Sequence, residues 1–230
     1  WHRSASLVHT DTLGKTDIPV PDNVRIYIFG GTQHGPSVFP PSKSGTANLH
    51  NPGDFRYFMR ALLLRLDRWV VADMEPPESV YPTIASGNLV TPTQQATKFP
   101  RLPGVMFPRV YQQPSLWKMG PRWKDQRIVD SEPPVPLAHY TVLVPRSTAD
   151  GNELGCLNPP EVEVPIASYT GWNLIRNATS SAGNLASLRG SYIPFARNRA
   201  ERMTAGDPRP AVQERYQSVE DYLGQMKKYC

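Results

Sequence analysis

Apolar positions fall into short, dissimilar patterns along this chain. Val24-Arg-Ile-Tyr-Ile-Phe29 is rich in β-branched and aromatic residues and stops at Gly30-Gly31, which is the pattern of a strand. Apolar residues occupy both of its faces, predicting a strand inside a parallel sheet covered by helices on both sides. From Phe55 onward, Phe55, Phe58, Met59, Leu62, Leu66, Trp69 and Val70 recur at three- and four-residue steps, predicting an amphipathic helix that ends near Asp73. Asn51-Pro52 offers a start for it, with asparagine as cap and proline in the first turn. Glu75-Pro76-Pro77 stops it. Strand, glycine-containing loop and long helix make the closing unit of an α/β fold.

Further along, 139–144 and 161–168 read as short strands around a turn at Asp150-Gly151-Asn152. Residues 191–203 read as a short helix. Another opens at Asp207-Pro208, where Ser218-Val-Glu-Asp221 resembles a capping box and Val212, Tyr216, Val219, Leu223 and Met226 form an apolar stripe. Residues 75–136 carry many prolines and little periodicity, the mark of a segment that wraps over a surface. The organisation expected is therefore the end of an α/β core over 1–78, a proline-rich wrapping segment over 79–136 and an α+β extension over 137–230. Because Trp1 opens the chain and Cys230 closes it inside an amphipathic pattern, a segment of a longer protein is expected.

Composition narrows the class. The 230 residues suit one large domain or two small ones. The 25 prolines are roughly twice ordinary usage, yet five tryptophans argue against a disordered chain. No apolar run approaches the roughly 18 residues that cross a bilayer. Two cysteines, Cys156 and Cys230, are too few for a disulfide framework or a cysteine-rich zinc site. His2, His9, His50 and His139 lack metal-ligand spacing, so no metal is expected. Asn177-Ala-Thr179 matches a glycosylation acceptor.

The formal charge of +5 is concentrated in one place. Arg101, Arg109, Lys118, Arg122, Lys124 and Arg127 face a single acid, Asp125, across the same stretch, with Tyr111, Trp117 and Trp123 interleaved. Basic and aromatic residues together grip single-stranded nucleic acid and steer anions. No nucleic-acid-binding motif accompanies them. The preferred reading is a wrap whose tryptophans pack inward while the charges face water.

The strongest chemical candidate is His34, in Gly30-Gly-Thr-Gln-His-Gly-Pro36. It lies just past the C-terminal end of the first predicted strand, where open α/β sheets bind ligands. In Ser-His-acid hydrolases the histidine comes last in chain order, on such a loop. Ala5-Ser-Leu-Val-His-Thr-Asp11 and Val24–Pro36 together resemble the C-terminal part of a bacterial α/β-hydrolase domain family of esterases. Tyr169-Thr-Gly-Trp-Asn-Leu174, Gly190-Ser-Tyr-Ile-Pro-Phe195 and Asp207-Pro-Arg-Pro210 extend the resemblance over nearly the whole chain.

The resemblance implies a serine hydrolase of carboxylic esters in which His34 is the general base. It also implies a Gly-x-Ser-x-Gly nucleophile motif, which this chain lacks: Gly35-Pro-Ser-Val-Phe39 misses the last glycine and follows the histidine. The serine is thus expected upstream, and the acid just before Trp1, with Asp11 as the in-chain fallback acid and Asp17 behind it. Asp11 also suits an ordinary turn. No cofactor is expected, since acyl transfer needs none. The partners expected are a small ester substrate and the N-terminal part of the same protein, without nucleic acid or membrane. The alternative is a non-catalytic module that uses 101–127 to bind an anionic partner.

Overall fold

A computed structural model describes residues 1–176 and 183–229. In chain order it contains β1 (Leu49–His50), α1 (Arg56–Ala72), β2 (Leu89–Val90), α2 (Gln94–Thr97), β3 (Ser115–Lys118), α3 (Trp123–Gln126), β4 (Val135–His139) and β5 (Val144–Pro145). There follow α4 (Pro160–Glu163), β6 (Ala167–Thr170), β7 (Ser191–Pro194), α5 (Arg199–Ala205), α6 (Val212–Arg215) and α7 (Val219–Met226). The named sheets are antiparallel: β1-β7-β6, the pair β2-β5 and the hairpin β3-β4.

The run 24–29 is extended and parallel to both of its neighbours, but the pairing is confined to two bridges, Tyr27 with Val80 and Phe29 with Leu157. The backbone alternates sides: Ile28 N–H donates to Val80 at 2.9 Å, and Leu157 N–H donates to Ile28 at 2.7 Å. Prolines explain why the expected parallel sheet goes no further. Pro76, Pro77 and Pro82 flank one neighbour and Pro159 and Pro160 follow the other, and proline donates nothing to a ladder.

Helix α1 ends as expected, with Asp73 as a left-handed cap. It starts later than Asn51, because the Asn51 side chain is used elsewhere; Asp54 instead accepts from Arg56 N–H at 2.9 Å. Phe58 stacks on Phe29 with ring centroids 5.1 Å apart, and Arg25 lies 5.0 Å over the Trp69 ring. Phe55 and Leu62 are partly buried, but Met59, Leu66 and Val70 face outward, each more than half exposed, and no residue of α1 is buried.

Three other expectations change. Residues 191–203 are not one helix: β-branched and aromatic Tyr192 and Ile193 form β7, Pro194 bars a helix, and α5 starts only at the Asn198 cap. Residues 161–168 are not one strand: Pro160 starts the helical turn α4, and β6 begins at Ala167. Strand β4 ends where 139–144 was expected to begin one, and β5 begins at Val144. Ser218 does cap α7, accepting from Asp221 N–H at 3.1 Å.

The main core gathers Phe99, Leu102, Phe107, Trp172, Leu174 and Ile193. Val162, Ala167 and Tyr169 form a second cluster under β6. Proline-rich 79–136 thus supplies three members of the main core. The tryptophans of the basic segment do not pack inward: Trp117 is 42 % exposed and Trp123 is 39 % exposed on the β3–β4 arm. The Asn177 acceptor and any pairing of Cys156 with Cys230 lie outside the described residues. Among the described residues no helix is long and apolar enough to cross a membrane.

Candidate active site

The extended run 24–29 delivers the chain to Gly30 and Gly31, and the turn they make aims the next residues into a cavity of about 430 Å³. Gly31 has φ +60°, and a Cβ there would lie 2.7 Å from Val162 Cγ2 and 3.0 Å from Tyr169 Cβ. Only glycine combines that conformation with that proximity. Thr32 Oγ1 donates to the Phe29 carbonyl at 2.9 Å and tightens the turn.

Two polar side chains hold Gly31 from opposite ends. Its N–H donates to Glu153 Oε2 at 3.2 Å, and its carbonyl accepts from Asn51 Nδ2 at 2.6 Å. Gln33, which is buried, donates from Nε2 to the Gly35 carbonyl at 2.8 Å and accepts Gly190 N–H on Oε1 at 2.8 Å. His34 sits between these anchors. Its imidazole is exposed, lines the cavity and makes no hydrogen bond among the described residues. A base in that position is free to engage a group brought to it.

The cavity wall is aromatic and carries a few polar groups. Tyr27, Phe29, Phe55 and Trp172 supply its apolar surface, and His2, His34, Glu153, Arg3 and Arg189 bring ionisable groups to it. Burial pushes the Glu153 carboxyl above the ordinary carboxylate range. His2, pressed against Phe107 and Trp172, is pushed down to about 3 by burial and stays neutral at pH 7. A larger open groove of about 720 Å³ runs past Thr93, Met106, Arg109 and Tyr111. Its described lining brings together no imidazole and no carboxyl, so the smaller cavity is the candidate site.

The structure brings His34 to this cavity but not the fallback acids. Asp11 Oδ1 accepts from Lys15 N–H at 2.6 Å and from Thr16 N–H at 2.9 Å, closing its own turn. Those amide bonds, Thr16's first, hold its carboxyl below the usual range. Asp17 accepts from Ile84 N–H and Ala85 N–H and is likewise spent on backbone. His9 does not pair with Asp11: its ring lies 4.6 Å from that of Tyr81, and neither nitrogen finds a partner. Among the described residues no serine lines the cavity. No group of His, Cys, Asp and Glu that could hold a metal ion occurs among the described residues.

Glu153, Gln33 and Asn51 were not singled out by sequence. Glu153 is 122 positions from Gly31, and only the turn at Asp150-Gly151-Asn152 hinted that the chain doubles back before it.

A parallel run ends in a glycine turn, with a histidine past its C-terminal end and a helix after it, an arrangement also found in α/β hydrolases. The chain belongs to a family with that architecture: the model of an alpha/beta hydrolase domain matches residues 9–229. No curated protein and no solved structure matches the chain. Membership supports hydrolase activity in general.

Proposed function

We propose that this chain contributes the catalytic histidine, His34, to a serine hydrolase of carboxylic esters, with the nucleophilic serine and the acid supplied from upstream of Trp1. The observation that carries the reading is the imidazole of His34, without a hydrogen-bond partner among the described residues, on an aromatic-walled cavity at the end of a parallel run in an alpha/beta hydrolase domain. The serine oxygen attacks the ester carbonyl carbon while His34 takes its proton. The bond to the alcohol oxygen breaks, and His34 returns the proton to the leaving alcohol. Water then attacks the acyl carbon while His34 takes its proton, the bond to the serine oxygen breaks, and His34 gives the proton to that oxygen as the acid departs.

The test is turnover of short p-nitrophenyl esters and labelling by a fluorophosphonate probe, in the intact protein and in His34→Ala. Turnover that falls by about three orders of magnitude or more in the variant supports the base. Equal activity in both, or inertness of both to probe and ester, rejects it.

A second reading is favoured by the exposure of Trp117 and Trp123 beside Lys118, Arg122, Lys124 and Arg127. There the β3–β4 arm binds an anionic partner without catalysis. Binding of a single-stranded oligonucleotide that weakens steeply with salt, and is lost in Trp117→Ser with Trp123→Ser, supports it. Binding that ignores salt and both substitutions rejects it.

A further inference from the structure

Gln33 precedes the candidate base and is only 4 % exposed. Its carboxamide uses both ends. Nε2 grips the carbonyl of Gly35, the residue after His34, while Oε1 takes the N–H of Gly190, where the chain enters β7. Gly190 is itself closely packed: a Cβ there would lie 2.2 Å from the Thr170 carbonyl oxygen and 3.0 Å from Gln33 Cβ. The Gly190 carbonyl accepts from Asn173 Nδ2 at 3.0 Å and from Asn51 N–H at 3.1 Å. One end of the Gln33 amide is therefore anchored to a rigid point, and the other to the His34 loop.

The residues that lead into Gly190 form a wall of the same cavity, through Leu185, Ala186, Leu188 and Arg189. Leu188 is held at φ +53°, a costly conformation for a leucine, and remains 45 % exposed. An aliphatic side chain kept in a strained conformation at a cavity wall is placed to meet an apolar group. The wall and the base are thus joined through one buried side chain that is hydrogen-bonded at both ends of its amide.

We propose that Gln33 is a positioning residue that couples the wall 185–189 to His34, and that Leu188 on this wall reads the acyl chain of an ester substrate. The inference rests on the reading of His34 as base. A buried amide with both ends satisfied is stiff, because any movement leaves a desolvated donor or acceptor unpaired. An acyl chain seated against Leu188 fixes the wall, and Gln33 transmits that placement to the backbone on either side of the imidazole.

The experiment compares p-nitrophenyl acetate with p-nitrophenyl hexanoate in the intact protein, in Gln33→Met, in Leu188→Ala and in the double variant. Folding of each is checked by circular dichroism at the assay temperature. Gln33→Met is expected to lower kcat about 30- to 100-fold for both esters while KM stays within about three-fold, the cost of a base displaced by about an ångström. Leu188→Ala is expected to lower kcat/KM about ten-fold for the hexanoate and to spare the acetate, as loss of an apolar contact does. In the Gln33→Met background that discrimination should shrink to about two-fold or less, since residues linked through one hydrogen-bonded segment couple non-additively.

Should Gln33→Met fail to fold, Gln33→Glu carries the test. It keeps an acceptor for Gly190 N–H and loses the donor to Gly35. It is expected to lower kcat likewise and to move the base's apparent pKa in the pH–rate profile upward, because a new carboxylate lies nearby. A merely structural role would leave kcat of the folded variant near that of the parent. Parental kcat in a folded Gln33 variant, or an unchanged Leu188 effect in the double variant, overturns the coupling while His34→Ala remains inactive. Indifference of the intact protein to His34→Ala overturns the coupling and the hydrolase reading together.

Discussion

The Asn51 side chain donates to the Gly31 carbonyl at 2.6 Å and to the Thr170 carbonyl at 3.1 Å, joining the turn that bears His34 to strand β6. Its remaining oxygen accepts Gly53 N–H at 2.8 Å. Asn51 is fully buried. Asn51→Ala strands two carbonyls and an amide away from water, and a loss of about 3 kcal/mol is expected in urea unfolding. Asn51→Asp should lose more, because it turns an oxygen toward two carbonyl oxygens. A loss below about 0.5 kcal/mol in both would show that the turn is held elsewhere.

His34 itself should be dispensable for stability. It is exposed and makes no hydrogen bond among the described residues. His34→Ala is expected to unfold within about 0.5 kcal/mol of the parent, so its loss of turnover would report chemistry rather than folding. Denaturant midpoints measured beside the esterase assay separate the two.

Acid should destabilise the fold through His2. Burial pushes its pKa from 6.5 to about 3. The unfolded chain therefore takes up a proton below pH 6.5 that the folded chain refuses. Its contribution is complete above that pH and falls by about 1.4 kcal/mol per pH unit on going down toward pH 3. His9, lowered in the same direction by burial, adds to the slope. His2 Nε2 has no partner to lose, so His2→Phe should flatten the stability–pH curve between pH 6.5 and 4. Urea titrations at several pH values test this, and an unchanged slope would refute it.

Arg209 closes the C-terminal part of the fold. It is 3 % exposed, pairs with Asp207, donates to Ser168 Oγ and to the carbonyls of Ile193 and Pro194, and lies 4.8 Å over Phe195. Burial alone would push the Asp207 carboxyl up, yet the Arg209 hydrogen bonds hold it below its usual range. Arg209→Met removes the partner and leaves that carboxylate stranded, at an expected cost of about 3–5 kcal/mol. Arg209→Lys should recover little, since an ammonium cannot reproduce the planar fork. Thermal unfolding of both variants provides the comparison.

Long local patterns were legible in the sequence. The α1 periodicity, the Asp73 end, the Ser218 cap and the extended 24–29 run each follow from neighbours a few positions apart. His34 was legible for the same reason: glycines on both sides of a histidine after a strand form a local signal. The 191–203 error arose where composition allowed two readings and the pairing of Tyr192 with Tyr169 decided for strand. The tryptophans of the β3–β4 arm show the opposite limit, since no pattern in the chain says whether a tryptophan in a proline-rich stretch finds a core.

By itself the sequence determined the extended run 24–29, the end of α1 and the Ser218 cap, and which histidine stands at a glycine-flanked turn. These depend on backbone preferences and periodicity, which act over one or two turns of chain. Only the tertiary structure decided what surrounds that histidine. Glu153, Asn51 and Gly190 reach the Gly30–Gly35 turn from remote positions, and Asp11 and Asp17 are spent on backbone amides. The physical reason is that a buried amide or carboxyl must find a partner wherever the packed chain offers one, and that choice is made by the whole fold.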